Sequence, residues 1–229
     1  MKSKILNSKA YQVFDYICRL VILNLLLILI SFSIFILAIN IFPNMENIYQ
    51  ILCLIPTAIT LLPSIVAVAD VIKGYEIEKN TGLFKEFFGS LKKYFKKACL
   101  LSVLLIAAIL LISNSVVFFA NMQAEGIIYT IGFALSISLV IVLIIGVIHI
   151  PLTMIYFDDL KVIHYVKLSL IFGFKDLGLT LLLTLFVIIT IILCYLSAAY
   201  LVLISFSLVI YLIIKLTKNK YLKISERNK

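Results

Sequence analysis

The sequence predicts an all-α, polytopic membrane helix bundle: six transmembrane helices with cytoplasmic amphipathic helices, in a single integral membrane domain over residues 1–229. Three observations carry this prediction. The chain is 64% hydrophobic and 14% charged, with a mean hydropathy of +1.20, whereas a water-soluble domain is about 45–50% apolar and about 25% charged. Runs free of Asp, Glu, Lys and Arg occupy residues 20–45, 47–69, 98–124, 126–157 and 177–214. All 20 basic residues fall on one side of the topology those runs imply.

A helix rising ~1.5 Å per residue needs about 20 residues to cross ~30 Å of hydrocarbon. The first run gives a helix over 20–42. The basic start MKSKILNSK resembles a signal peptide, but the apolar run behind it exceeds the ~7–15 residues of a signal core, so a retained helix is expected. The next runs give helices over 48–70, 98–120 and 126–157. The last run is long enough for two, 177–196 and 199–215, with a tight turn near Ser197, Ala198 and Ala199. Pro56, Pro63 and Pro151 lie inside helices two and four, where a missing N–H and a ring clash favour kinks and room for a small central cavity.

Six crossings gather the cations. One side receives the N-terminal segment with Arg19, the 70–97 loop, the 158–176 loop and the tail from Lys215; the other receives IFPNMENIYQ, ANMQAEG and CYLSAAY, with only Glu46 and Glu125. The positive-inside rule makes the basic side cytoplasmic. The expected location is the inner (plasma) membrane, multi-pass, with both termini cytoplasmic. Cytoplasmic lysines against anionic headgroups account for a net charge of +9 without nucleic acid.

The stretch GLFKEFFGSLKKYFKKA, residues 82–98, holds much of that charge. On a helix at ~100° per residue its apolar residues fall within about 140° and its lysines opposite. An interfacial helix is expected over 82–97, capped by Asn80 or Thr81. Its contacts to lipid, its own bundle or a partner would be Phe84, Lys85, Phe87, Phe88, Lys92, Lys93, Phe95, Lys96 and Lys97. A weaker one covers 159–174, where Lys161, His164, Lys167 and Lys175 gather on one arc. PSIVAVAD (Pro63 to Asp70) resembles PLTMIYFD (Pro151 to Asp158), and SLKKYFKKACLL resembles SLIFGFKDLGLT. This reads as a duplicated helix, interfacial helix, helix unit, with Pro63, Asp70, Pro151 and Asp158 as kink or boundary positions.

Catalytic signatures are missing: no P-loop, GxGxxG, HExxH or GxSxG occurs, so no enzyme, cofactor or metal is expected. Cys18, Cys53, Cys99 and Cys194 have no ligand spacing and read as small apolar side chains. His149 sits near the cytoplasmic end of helix four; either it bonds a neighbouring helix or it takes part in proton or solute handling. Asn24, Thr57, Thr60, Asn114, Thr153, Thr180, Thr184 and Thr190 are the deep polar groups, suited to joining helices.

LNLLLILISF, LLPSIVAVADVIKGYE, LFKEFFGSLKKYFKKACLL and IPLTMIYFDDLKVIHYVKLSLIFGFKDLGLTLLL resemble the YesL family of bacterial integral membrane proteins, domain of unknown function 624. Its members share an Asn-Leu-Leu start in the first helix, a proline followed ten residues later by a basic residue (Pro63 and Lys73), and a Phe-Lys-x-Phe-aromatic stretch (Phe84, Lys85, Phe87, Phe88). Leu27 and Leu62 depart from the aromatic and the Gly or Phe usual there, and the segment before Pro63 is longer than usual. The resemblance implies an all-helical bacterial membrane protein without established activity, often encoded beside sugar-uptake and glycan-degradation genes. The function expected is thus a non-enzymatic accessory or regulatory component of carbohydrate uptake, its partners the lipid bilayer and a sugar transporter permease. The alternative is a small-solute transporter or membrane substrate-binding subunit, which requires a polar central cavity.

Overall fold

The computed structural model describes residues 9–41, 47–77, 82–157, 159–196 and 205–227, and every regular element among them is helical. The helices are α1 (Lys9–Ile41), α2 (Asn47–Ile77), α3 (Leu83–Asn121), α4 (Ile127–Tyr156), α5 (Val162–Lys175), α6 (Leu177–Leu196) and α7 (Ser205–Arg227), with a short 3-10 turn at Gln123–Glu125. Four stretches are long and apolar enough to cross a membrane: Val13–Ser31, Ile55–Tyr75, Leu83–Asn121 and Ile127–Tyr156. α5 and α6 form a further apolar pair, bent by 103° at their junction. The turn expected at Ser197, Ala198 and Ala199, the start of the 199–215 helix and Asp158 lie outside the described residues.

Helix boundaries differ from the sequence reading for physical reasons. The 82–97 segment, expected to run directly into the third crossing, forms with it one helix of 39 residues, because nothing between Lys97 and Ala98 interrupts it. The N-cap of α3 is Gly82, without a side-chain cap bond; Asn80 and Thr81 lie outside the described residues. α1 starts at Lys9 and α2 runs on to Ile77, since charged residues on turns beyond the membrane extend a helix as readily as apolar ones. α2 passes Pro56 and Pro63 without a break, as α4 passes Pro151.

Two glycines are required by geometry. Gly126, joining α3 to α4, has φ 149° and ψ 171°, a region open essentially to glycine alone. Gly173 on α5 presses on α4, where a Cβ would collide with Ile145 Cγ2 and come 3.1 Å from the Ile145 carbonyl oxygen.

The core lies at one end of the bundle. Leu20, Leu23 and Leu27 of α1 pack with Val66 to Ile72 of α2, Phe87, Tyr94, Ala98 and Leu101 of α3, Ile150 to Tyr156 of α4, Tyr165 and Phe172 of α5, and Ile210, Ile214 and Tyr221 of α7. Between residues 103 and 144, by contrast, Ser136 alone is buried. The packed end also carries the cations. Lys220 of α7 pairs with Asp176 at the α5–α6 junction (2.8 Å) and Lys97 of α3 with Asp159 before α5 (3.3 Å). Lys73 of α2 donates to the Ile155 carbonyl in the last turn of α4.

Candidate functional site

The packed, basic end is built from polar joints that fix helix ends, and a surface those joints hold in place. Asn24, fully buried on α1, accepts the Phe206 N–H (3.0 Å) and the Ser207 N–H (3.2 Å) at its Oδ1. Both are donors in the first described turn of α7, and in a water-free interior an N–H needs an acceptor. Lys73 does the reverse at the other pole, supplying a cation to a carbonyl at the C-terminus of α4, where the helix dipole favours it. Its ammonium also stands 4.7 Å from the centre of the Tyr156 ring.

A second joint links α2 to α3. Asp70 accepts a hydrogen bond from Ser90 Oγ (2.7 Å), with Tyr94 Oη at 3.5 Å. Asp70 is therefore a helix-to-helix anchor within α2, which runs on past it to Ile77. Pro63 is buried on the same helix, Pro151 is half-buried on α4, and Asp158 lies outside the described residues. The proposed duplication has unequal halves: Ser90 reaches across to α2, whereas the corresponding Ser169 bonds its own helix at the Val166 carbonyl. The first half is also one continuous helix, while the second turns by 103°.

The third joint surrounds that turn. His149, buried on α4, holds Tyr221 Oη at Nδ1 (2.8 Å) and Thr180 Oγ1 at Nε2 (2.9 Å). The Thr180 hydroxyl in turn faces the carbonyls of Gly173 (3.0 Å) and Asp176 (3.1 Å). Those carbonyls can only accept, so the hydroxyl proton goes to one of them and Thr180 accepts from His149. The bonding thus assigns the proton to Nε2 and leaves Nδ1 to accept from Tyr221. Burial, with Asp176 and Tyr156 adding to it, pushes the Tyr221 phenol above its ordinary range, so it remains a donor. Phe172 and Tyr156 enclose its ring at 4.5 and 5.3 Å between centroids. A neutral histidine satisfies every member, and His149 bonds two neighbouring helices, α6 and α7. Thr180 stood out among the deep polar groups, but Tyr221 was missed. Its signal is the spacing Ile210, Ile214, Thr217, Tyr221, which carries the buried stripe of α7 past Lys215.

The start of α3 presents the surface. With Phe84 at 0° on a helix of ~100° per residue, three stripes separate. Phe87, Tyr94 and Ala98 are buried; Phe84, Phe88 and Phe95 are 57%, 50% and 45% exposed; Lys85, Lys92 and Lys96 are exposed beside them, with Lys93 further round. The apolar arc expected to face one way is therefore divided, and Phe87 is an anchor in the core rather than a surface contact. Lys97 is half-buried and engaged with Asp159. α5 repeats the arrangement: Lys161, His164, Lys167 and Lys175 are exposed, and Tyr165, Ser169 and Phe172 are buried.

Beyond this end, a crevice of about 200 Å³ runs between α3, α4 and α5, lined by aliphatic side chains such as Leu105, Ile112, Leu139 and Leu143, with Ser169 at one end. Among the described residues no group of three or more His, Cys, Asp or Glu side chains is placed to hold a metal ion. Neither a curated protein nor a solved structure matches the chain. Residues 20–115, from the turn before Asn24 through most of α3, match the family model described as "Protein of unknown function, DUF624", which supports a relationship to that family.

Proposed function

We propose that the protein is a non-enzymatic, multi-pass inner-membrane protein that acts as an accessory or regulatory component of carbohydrate uptake, docking a permease on its cytoplasmic face. The six crossings are α1, α2, α3, α4, α6 and α7, with both termini cytoplasmic. The Lys220–Asp176 pair and the His149–Tyr221 bond support this topology, because they return α7 to the end from which α6 departs. The positive-inside rule puts that end in the cytoplasm. The YesL resemblance supports a bacterial membrane and the link to sugar uptake.

The observation that carries the docking role is the position of the exposed aromatics. α3 has 39 residues and is about 58 Å long at ~1.5 Å per residue, roughly twice the ~30 Å hydrocarbon thickness. Its exposed phenylalanines, Phe84, Phe88 and Phe95, lie in its lysine-rich first turns, on either side of the Asp70–Ser90 joint. Anionic lipid accounts for the lysines nearest the membrane. Exposed phenylalanines flanked by lysines are suited to a protein partner with apolar pockets ringed by acidic groups. The crevice between α3, α4 and α5 is aliphatic and so lends no support to the transporter reading, which needs a polar cavity.

Copurification in mild detergent tests this reading. The wild-type chain is expected to retain a sugar permease, and Phe84→Ser with Phe88→Ser to lose at least tenfold of it while inserting normally. A chain that recovers no transport component, in a host whose sugar uptake is unchanged by deletion of the gene, contradicts it.

A further inference from the structure

We infer that the protein self-associates in the membrane through the outer half of α3, with Asn114 meeting its own copy across a two-fold axis. Asn114 is exposed and makes no hydrogen bond among the described residues. It lies seven residues before Asn121, the end of the helix, about 10 Å inside the outer edge of the bilayer. The neighbouring Ser115 satisfies its hydroxyl on its own helix at the Leu111 carbonyl (2.9 Å), a bond open to serine and threonine. The primary amide, with two donors and an acceptor, requires a partner elsewhere.

That partner is not α4. Leu105, Ala108 and Ile112 form the face of α3 turned to α4, and Asn114 is about 200° around the helix from Ile112. Its own face consists of Leu104, Ala107, Leu111, Asn114 and Asn121, all exposed, Leu111 by 70%, and of Phe118, 52% exposed, whose ring also meets Tyr129 of α4 at its border (6.5 Å between centroids). Their spacing alternates three and four residues, the seam of a helix pair in which one polar residue fixes register. Lipid serves the apolar members as well as protein does, so the amide is the group that selects a partner.

A second copy is the occupant the geometry favours. All copies insert with the same orientation, so two α3 helices meet in parallel about an axis along the membrane normal, and each residue faces itself. Leu111 meets Leu111 and Asn114 meets Asn114, and two amides bond each other reciprocally. Ala107 allows the helices to approach closely on the cytoplasmic side of that bond.

Full-length protein in native membranes provides the test. A photo-crosslinking amino acid at Leu111 or Phe118 is expected to yield a covalent dimer of twice the 25.9 kDa chain mass, and one at Ile109, exposed on the other side of α3, is not. In vesicles, Asn114→Leu is expected to weaken dimerisation roughly 3- to 30-fold, and Asn114→Gln to retain more of it. One subunit at every protein-to-lipid ratio, equal dimer yields from Leu111 and Ile109, adducts only with a different protein, or no change in Asn114→Leu would each overturn the inference.

Discussion

Single polar side chains decide where this chain's helices stop and meet. Asn24 illustrates the scale of the effect: two α7 N–H groups depend on one carboxamide oxygen, and leaving a buried donor without an acceptor costs about 1–3 kcal/mol. Asn24→Leu keeps the volume and removes the acceptor, so a loss of about 2–5 kcal/mol is expected, read as a lower unfolding midpoint in detergent. Asn24→Asp retains the acceptor and should lose less. Equal stability of Asn24→Leu and wild type would show that α7 is capped by another group. Asn24 was recognisable in the sequence as a deep polar group and as part of the Asn-Leu-Leu start. Its partner was not, because backbone N–H groups 182 residues away leave no trace in local periodicity.

At the scale of elements, contrast between the two halves of the chain is the informative feature. The 70–97 region continues straight into its crossing as α3, whereas α5 turns by 103° into α6 even though the two segments look alike in sequence. The turn is stabilised by the Thr180 bonds to Gly173 and Asp176 and by the close approach of α5 to α4 at Gly173. Gly173→Ala would force Ile145 aside and is expected to cost about 1–3 kcal/mol, measurable as faster proteolysis between α5 and α6. An unchanged proteolytic rate would mean that α4 yields at that contact. Apolar runs and charge gaps marked where long apolar helices lie. They could not distinguish a bent pair from a straight helix, since both satisfy the same amphipathic pattern and the difference arises from a tertiary hydrogen bond to His149. The division of the aromatic arc was hidden for the same reason: Phe87 and Phe88 are equally apolar, and only the position of α2 determines which is buried.

Over the whole molecule, packing and polar joints concentrate at the end that gathers the lysines, and the halves of α3 and α4 far from that end are left exposed. The lysine distribution made this polarity legible before any coordinates, because the positive-inside rule acts on whole loops and needs no tertiary detail. The display of Phe84 and Phe88 beside a buried Phe87 was not legible, since it depends on how α3 packs against the other helices. That display is the centre of the account, and site-specific photo-crosslinking in native membranes measures it directly. Probes at Phe84 and Phe88 should capture a sugar permease, while a probe at the buried Phe87 should give no intermolecular adduct. Capture of lipid alone from Phe84 and Phe88, or equal yields from all three positions, would contradict it.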